Sequence, residues 1–156
     1  MKNRESENQR KGNSVKIEFA ALSENEAFAR AAAAAFFMQL DPTVDELTEI
    51  KTAVSEAVSN AIIHGYSGGD ADRYVSMSCE YDRSGNTKIV VSDRGIGIKN
   101  IEQAMRPLFT TGAGEERSGM GFTVMESFMD RVLVESEPEK GTSVTLVKKL
   151  DLSYGE

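Results

Sequence analysis

The stretch from Glu56 to Gly65 constrains the chain most strongly. It has the pattern of the second half of a helix with one apolar side, and Glu56, Asn60 and His64 follow one another at intervals of four on the other side. That spacing stacks the three side chains on one helix face. A carboxylate, an amide and an imidazole are costly to bury without partners. This face is therefore either a solvated surface or one wall of a polar site, and we assign His64 a structural role at the helix end.

A second piece is the turn Asp93-Arg94-Gly95-Ile96-Gly97. A carboxylate that directly follows a strand, with Gly-x-Gly after it, lets a flat or anionic ligand approach the backbone closely. Asp93 can accept a hydrogen bond from an exocyclic amine such as that of adenine. The alternative is a tight turn whose glycines only provide positive φ angles.

A third piece is the run Arg117-Ser118-Gly119-Met120-Gly121, at the start of a predicted helix. Small residues at a helix N-terminus leave backbone N–H groups that suit phosphate, and Arg117 could add a charge-assisted hydrogen bond. The alternative is a flexible loop with a solvated arginine. If phosphates bind here, the amide oxygen of Asn60 suits Mg²⁺, and Glu56 could take a proton from an attacking hydroxyl group or water.

Composition limits the class of protein. The chain has 156 residues with 40% hydrophobic and 28% charged residues, which is ordinary for one globular domain. A net charge of −7 without a run of lysine or arginine argues against a nucleic-acid-binding surface. Cys79 is the single cysteine, and the longest apolar run, Ala31 to Met38, is too short to span a bilayer. We expect a cytoplasmic protein.

The order of elements predicts an α+β fold, a two-layer sandwich with helices packed on one face of a mainly antiparallel mixed sheet. Capping boxes are expected at Ser23 with Glu26 and at Thr43 with Glu46, and Gly65 is expected to be an αL C-cap. We expect a disordered leader or extension over residues 1–14, one domain over 15–150 and a flexible tail over 151–156. The predicted strands span residues 15–20, 73–81, 87–92, 131–136 and 142–148, and the predicted helices span 24–40, 44–64, 100–105 and 121–129.

Together these segments resemble the Bergerat-type (GHKL) ATP-binding fold of gyrase, MutL and histidine kinases. Glu56 and Asn60 resemble its N box, the Asp93 turn its first glycine box and Gly119-Met120-Gly121 its second. The run from Gly141 to Leu146 resembles its closing strand. From about Val15 to Val147 the chain further resembles the anti-sigma-F factor family of endospore-forming bacteria. The runs that carry this likeness include Gln39 to Thr43, Asp45 to Lys51, Ser55 to Tyr66, Pro107 to Thr111 and Glu116 to Val124.

The resemblance implies two linked activities. The protein would bind the sporulation sigma factor F, and it would be a serine kinase that phosphorylates an anti-anti-sigma protein. It would act as a homodimer and bind Mg-ATP or ADP. Glu56 would be the general base, Asn60 the Mg²⁺ ligand and Asp93 the adenine-binding carboxylate. The resemblance places the remaining nucleotide contacts at Gly95, Gly97, Thr110, Thr111, Arg117, Ser118, Gly119, Met120, Gly121 and Thr142.

Two other functions remain open at this point. One is a non-catalytic, nucleotide-gated module that binds sigma, although such a module would need no base at Glu56. The other is a histidine kinase catalytic domain, although no segment resembles a phosphoacceptor hairpin. For partner surfaces, we expect the first strand and first helix to contribute to dimerisation, and Arg30 on that helix is either a partner contact or a solvated side chain.

Overall fold

The computed structural model describes residues 12–106 and 121–152. Within these residues it has five strands and four α-helices, joined by a short 3₁₀ helix and a π-helical turn. The strands are β1 (Asn13–Ala21), β2 (Asp70–Tyr81), β3 (Asn86–Asp93), β4 (Arg131–Glu137) and β5 (Gly141–Lys149). The helices are α1 (Asn25–Phe37), α2 (Val44–Asn60), α3 (Ile101–Ala104) and α4 (Gly121–Phe128), with the 3₁₀ helix at Met38–Leu40 and the π turn at Ala61–Gly65.

The strands form one sheet in the order β1-β2-β3-β5-β4, and every pairing between these described strands is antiparallel. One face is covered, because along β2 the side chains of Val75, Met77 and Cys79 are buried while those of Ser76 and Ser78 between them are partly open. Helices α1, α2 and α4 pack on the covered face. The predicted α+β sandwich is confirmed.

The start of α2 was predicted correctly. The Thr43 side chain accepts a hydrogen bond from the Glu46 N–H at 3.1 Å, and Glu46 Oε1 accepts one from the Thr43 N–H at 2.9 Å. This is the capping box. Glu46 Oε2 also accepts from the Asp151 N–H at 2.8 Å, and Leu152 packs against the core, so the first two residues of the predicted tail contact the domain.

The predicted capping box at Ser23 is wrong. The N-cap of α1 is Glu24, which makes no side-chain cap hydrogen bond. The Glu26 carboxylate instead accepts a hydrogen bond of 2.7 Å from the buried hydroxyl group of Ser59 on α2. A bond between two helices has therefore replaced the local one, because the buried hydroxyl group of Ser59 needs a partner.

The predicted αL C-cap at Gly65 is also wrong. Helix α2 continues into the π turn, and positive φ angles follow only at Ser67, Gly68 and Gly69. Gly65 is required for a different reason, which is its close contact with Asp93. In the described part of the chain, no helix is both long and apolar enough to cross a membrane.

Candidate functional site

Asp93 is the last residue of β3, and its side chain is buried with 8% of its surface exposed. Its Oδ1 accepts a hydrogen bond of 2.9 Å from the Gly95 N–H. Burial raises the pKa of the Asp93 carboxyl group, and backbone hydrogen bonds from Gly95 and Thr142 partly oppose that rise. A carboxylate that is buried at such a cost is suited to receive a hydrogen bond from a ligand.

The glycines around Asp93 are explained by close approach. A Cβ atom on Gly65 would lie 2.7 Å from the carboxyl carbon of Asp93. The π turn can therefore approach this carboxylate so closely only because residue 65 has no side chain. A Cβ atom on Gly95 would collide with the carbonyl oxygen of Gly65, and the Ile96 N–H donates to that oxygen at 3.1 Å. Gly97 has a φ angle of 73° and abuts the carbonyl of Glu137. The helix end and the Asp93 turn therefore form one tightly packed unit.

Tyr66 and Arg73 hold the same turn from outside. The Tyr66 hydroxyl group accepts from the Arg94 N–H at 2.7 Å and donates to the Tyr74 carbonyl at 2.8 Å. Arg73 donates to the Arg94 carbonyl at 2.9 Å, and its guanidinium group lies 5.5 Å from the centre of the Tyr66 ring. Sequence reasoning missed both residues. The available signal was a tyrosine directly after Gly65, because a buried tyrosine hydroxyl group usually finds a partner.

Asp93, Thr142 and Ser136 form one row across three neighbouring strands. Thr142 on β5 pairs with Asp93 on β3 and with Ser136 on β4. The Ser136 and Thr142 hydroxyl oxygens are 2.8 Å apart, and Ser136 also accepts from the Ile98 N–H at 2.7 Å. Thr142, predicted as a nucleotide contact, therefore lies beside Asp93. Ser136 was not predicted.

Glu56 and Asn60 meet the start of α4. A Cβ atom on Gly121 would lie 3.2 Å from Glu56 Oε2 and 3.0 Å from Asn60 Nδ2. A larger residue at position 121 would therefore press against both groups. The two side chains lie one helical turn apart on α2, and the π turn that follows leads directly to Gly65 and Asp93. The structure thus brings the residues of the predicted N box, the Asp93 turn and the first residue of α4 to one end of α2.

Comparison with known proteins assigns the chain to a family. Residues 19–148 match the family of histidine kinase-like ATPase domains. Proteins named anti-sigma F factor are 59% identical over 136 residues in Geobacillus stearothermophilus, covering 87% of this chain and 92% of the relative. In Clostridium novyi the identity is 55% over 139 residues, covering 89% and 96%. The chain belongs to the anti-sigma F factor family. Its ATPase domain implies that this family member binds a nucleotide.

Solved structures share the fold at low sequence identity. The RsbU and RsbW domains of a Mycobacterium tuberculosis protein match with a TM-score of 0.63 at 18% identity, over 88% of this chain and 32% of that one. The catalytic domain of the histidine kinase ThkA matches with a TM-score of 0.54 at 16% identity, over 88% and 97%. These neighbours show that an anti-sigma F factor domain has the architecture of histidine kinase catalytic domains.

The remaining predicted residues fall into two groups. Thr110, Thr111, Arg117, Ser118, Gly119 and Met120 lie outside the described residues. Arg30 lies on α1, is half-buried, and its Nη1 donates to the Ser55 hydroxyl group at 3.3 Å. Ser55 directly precedes Glu56, so Arg30 contacts the helix that carries the predicted base. His64 is half-buried within the π turn.

The donor set at this site fits Mg²⁺ only together with a nucleotide. The described residues contain no group of three or more histidine, cysteine, aspartate or glutamate side chains that could hold a metal ion alone. Asn60 offers an amide oxygen, and Mg²⁺ commonly combines one or two protein oxygen ligands with phosphate oxygens and water. Asn60 therefore fits a metal that arrives with phosphates.

Proposed function

We propose that this protein is both an anti-sigma factor and a protein serine kinase. It binds the sporulation sigma factor F, and it uses Mg-ATP to phosphorylate, and so inactivate, its antagonist, an anti-anti-sigma protein. Both steps take place in the cytoplasm. The relatives named anti-sigma F factor support the first activity, and the histidine kinase-like ATPase domain supports the use of ATP.

The observation that carries the kinase proposal is the position of Glu56 and Asn60 beside Gly121. Phosphate groups bind well at the N-terminus of a helix, and Gly121 begins α4. A carboxylate beside that point can accept the proton of a serine hydroxyl group as the hydroxyl attacks the terminal phosphate. A module that only binds sigma in response to nucleotide would have no use for this carboxylate.

The base of the nucleotide would bind at Asp93. Burial raises the pKa of the Asp93 carboxyl group, and a ligand that donates a hydrogen bond to it, as the amine of adenine does in ATP or ADP, would offset the cost of burying the charged form. Gly97 and Thr142 are the other residues that we assign to the part of the site that binds the base. We assign the phosphate end to Thr110, Thr111 and the run Arg117 to Met120 from the sequence resemblance.

Asn60 would hold Mg²⁺ through its amide oxygen, with phosphate oxygens and water as the other ligands. When bound, the ion neutralises charge on the phosphates. Glu56, one turn earlier on α2, would stay available to the incoming serine. The division of roles follows from chemistry, because an amide cannot act as a base near neutral pH whereas a carboxylate can.

A homodimer is the proposed assembly, with α1 at the interface. The outer face of α1 is exposed although it is apolar: Phe28 is 55% and Met38, just after the helix, 60% exposed, and the exposed residues between them include Ala31 and Ala35. β1 beside it is an edge strand of the sheet. Apolar patches of this kind often mark protein interfaces. Arg30 on the same helix is the proposed contact to a protein partner.

Transfer of radiolabelled phosphate tests the proposed function. Purified protein is incubated with Mg-ATP labelled at the γ-phosphate and the unphosphorylated antagonist, and the labelled residue is identified after hydrolysis. We expect phosphoserine on the antagonist. ATP binding without label on the antagonist would instead favour the nucleotide-gated binding module. Acid-labile label on a histidine would favour a histidine kinase.

A further inference from the structure

The Ser136 hydroxyl group has three polar neighbours and one hydrogen. Its oxygen is 2.7 Å from the Ile98 nitrogen, 3.0 Å from the Gly141 carbonyl oxygen and 2.8 Å from the Thr142 hydroxyl oxygen. The Ile98 N–H can only donate, and the Gly141 carbonyl can only accept. The hydroxyl–hydroxyl contact is the one whose direction is open.

Only one arrangement of hydrogens satisfies all three contacts. Ser136 gives its hydrogen to the Gly141 carbonyl and accepts hydrogens from Ile98 and Thr142. If Ser136 donated to Thr142 instead, its 3.0 Å contact with the Gly141 carbonyl would contain no hydrogen. Thr142 is then held with its hydrogen towards Ser136, and its remaining lone pairs are left as acceptors.

The consequence reaches Asp93, the neighbour of Thr142 on the other side. Asp93 is buried and offers carboxylate oxygens, and Thr142 adds a second acceptor in the same row. Residues directly opposite each other on adjacent strands have Cβ atoms roughly 5 Å apart. Two neighbouring acceptors favour a ligand edge that carries hydrogens, such as an exocyclic amine, which has two.

We propose that Ser136 is a specificity-determining positioning residue, which fixes Thr142 as a hydrogen-bond acceptor and thereby makes the pocket at Asp93 select a purine with an exocyclic amine. The proposal rests on the proposed function, because it assumes that the base binds at Asp93. It extends that function by assigning a role to a residue on β4, an edge strand of the sheet.

The test compares two nucleotides that differ in one group. Equilibrium dissociation constants are measured for ATP and for purine riboside triphosphate, which is ATP without its exocyclic amine. In Ser136→Ala the Thr142 hydroxyl group is released and can rotate. We expect the preference for ATP over the amine-free nucleotide to fall roughly two- to tenfold, which is the range of one hydrogen bond. The affinity for the amine-free nucleotide should stay near that of the wild type.

Three variants separate this role from a structural one. Ser136→Thr keeps the hydroxyl group and should restore the preference. In a Thr142→Val background Ser136→Ala should cause no further change, because its effect passes through Thr142. Ser92→Ala is the matched control, since it removes a hydroxyl group on β3 that is 2.6 Å from the hydroxyl group of Ser143, the residue after Thr142 on β5. A general destabilisation of the domain would weaken the binding of both nucleotides alike and leave the ratio of their dissociation constants unchanged.

The outcomes for the two proposals are distinct. If wild type binds ATP, Asp93→Asn loses that binding, and Ser136→Ala keeps the full preference for the amine, the role of Ser136 is wrong while the adenine site stands. If Asp93→Asn binds ATP as wild type does, the base does not bind at Asp93, and both the site and the role of Ser136 are wrong.

Discussion

The Asp93 carboxylate lowers the stability of the folded protein at neutral pH, and the same group is the proposed acceptor for the base of the nucleotide. Its carboxyl group is buried, and burial raises its pKa despite backbone hydrogen bonds from Gly95 and Thr142. The folded protein therefore holds this proton at pH values where the unfolded chain has released it. The Asp93 carboxyl group therefore makes its full contribution to the free energy of unfolding below its ordinary pKa of 3.8. That contribution is lost as the pH rises through the raised pKa of the folded protein. At neutral pH the buried charged form lowers the free energy of unfolding, and a hydrogen bond from a bound amine would offset that loss.

Asp93→Asn should stabilise the nucleotide-free protein and abolish stabilisation by ATP. Asparagine keeps an oxygen for the Gly95 N–H but carries no charge to bury. Thermal unfolding should show a higher melting temperature than wild type at neutral pH, and the difference should close as pH falls below 3.8. ATP at a hundredfold excess over the wild-type dissociation constant should stabilise wild type by about 2.7 kcal/mol and the variant not at all. A variant that is less stable at every pH would contradict this account.

The sequence predicted which site residues lie together better than it predicted their local geometry. Asp93, Gly95 and Thr142 lie together because Asp93 and Gly95 are at the end of β3 and Thr142 is near the start of the neighbouring strand β5, and the alternating pattern placed both strands. The roles of Gly65 and Glu26 were misjudged because local capping rules consider only neighbours in the chain. Their actual partners, Asp93 and Ser59, are distant in sequence, and contacts of that kind overrode the local preference.

At the scale of elements, Lys148 joins α4 to α2. This lysine on β5 is 9% exposed, and its Nζ lies 2.8 Å from the carbonyl of Phe128, the last residue of α4. The same Nζ is 2.7 Å from Oε2 of Glu49 on α2. A cation at a helix C-terminus satisfies open carbonyl groups and the helix dipole. Helix α4 is thus held to α2 at its end by Lys148, and its first residue meets Glu56 and Asn60.

Lys148→Met should destabilise the domain by about 2 kcal/mol, because it leaves a partly buried carboxylate and a helix-end carbonyl without their partner. ATP should also bind more weakly, since α4 loses its attachment to α2. Urea denaturation and ATP titration measure the two effects. Lys149→Met, one residue away and exposed, is the control and should change stability by less than about 0.5 kcal/mol. Equal effects of the two substitutions on stability would show that Lys148 does not hold α4 to α2.

Element boundaries followed from the sequence closely where the cause was local. The capping box at Thr43 placed the start of α2, and the apolar alternation placed all five described strands within a few residues. The π turn at Ala61–Gly65 was not predicted, because it results from packing of the helix end against the Asp93 turn. Such turns often occur at functional sites, where they redirect a helix end.

Within the described residues, the outer face of α1 is apolar and exposed. We predict that Phe28→Asp converts a dimer to a monomer, because it places a charge in the proposed interface. Analytical ultracentrifugation measures the change. Val44→Asp is the control, since Val44 is 81% exposed at the start of a different helix, where an aspartate is well tolerated. A wild-type monomer, or a Phe28→Asp dimer of unchanged affinity, would contradict the proposed assembly.

Single-turnover phosphate transfer from Mg-ATP to the antagonist tests whether Glu56 is the base of a serine kinase. Glu56→Gln preserves the size of the side chain beside Gly121 but cannot take a proton. We predict unchanged ATP affinity and a transfer rate lowered at least about a hundredfold, with normal transfer by the exposed control Glu126→Gln. Transfer by Glu56→Gln at the wild-type rate would show that Glu56 is not the base.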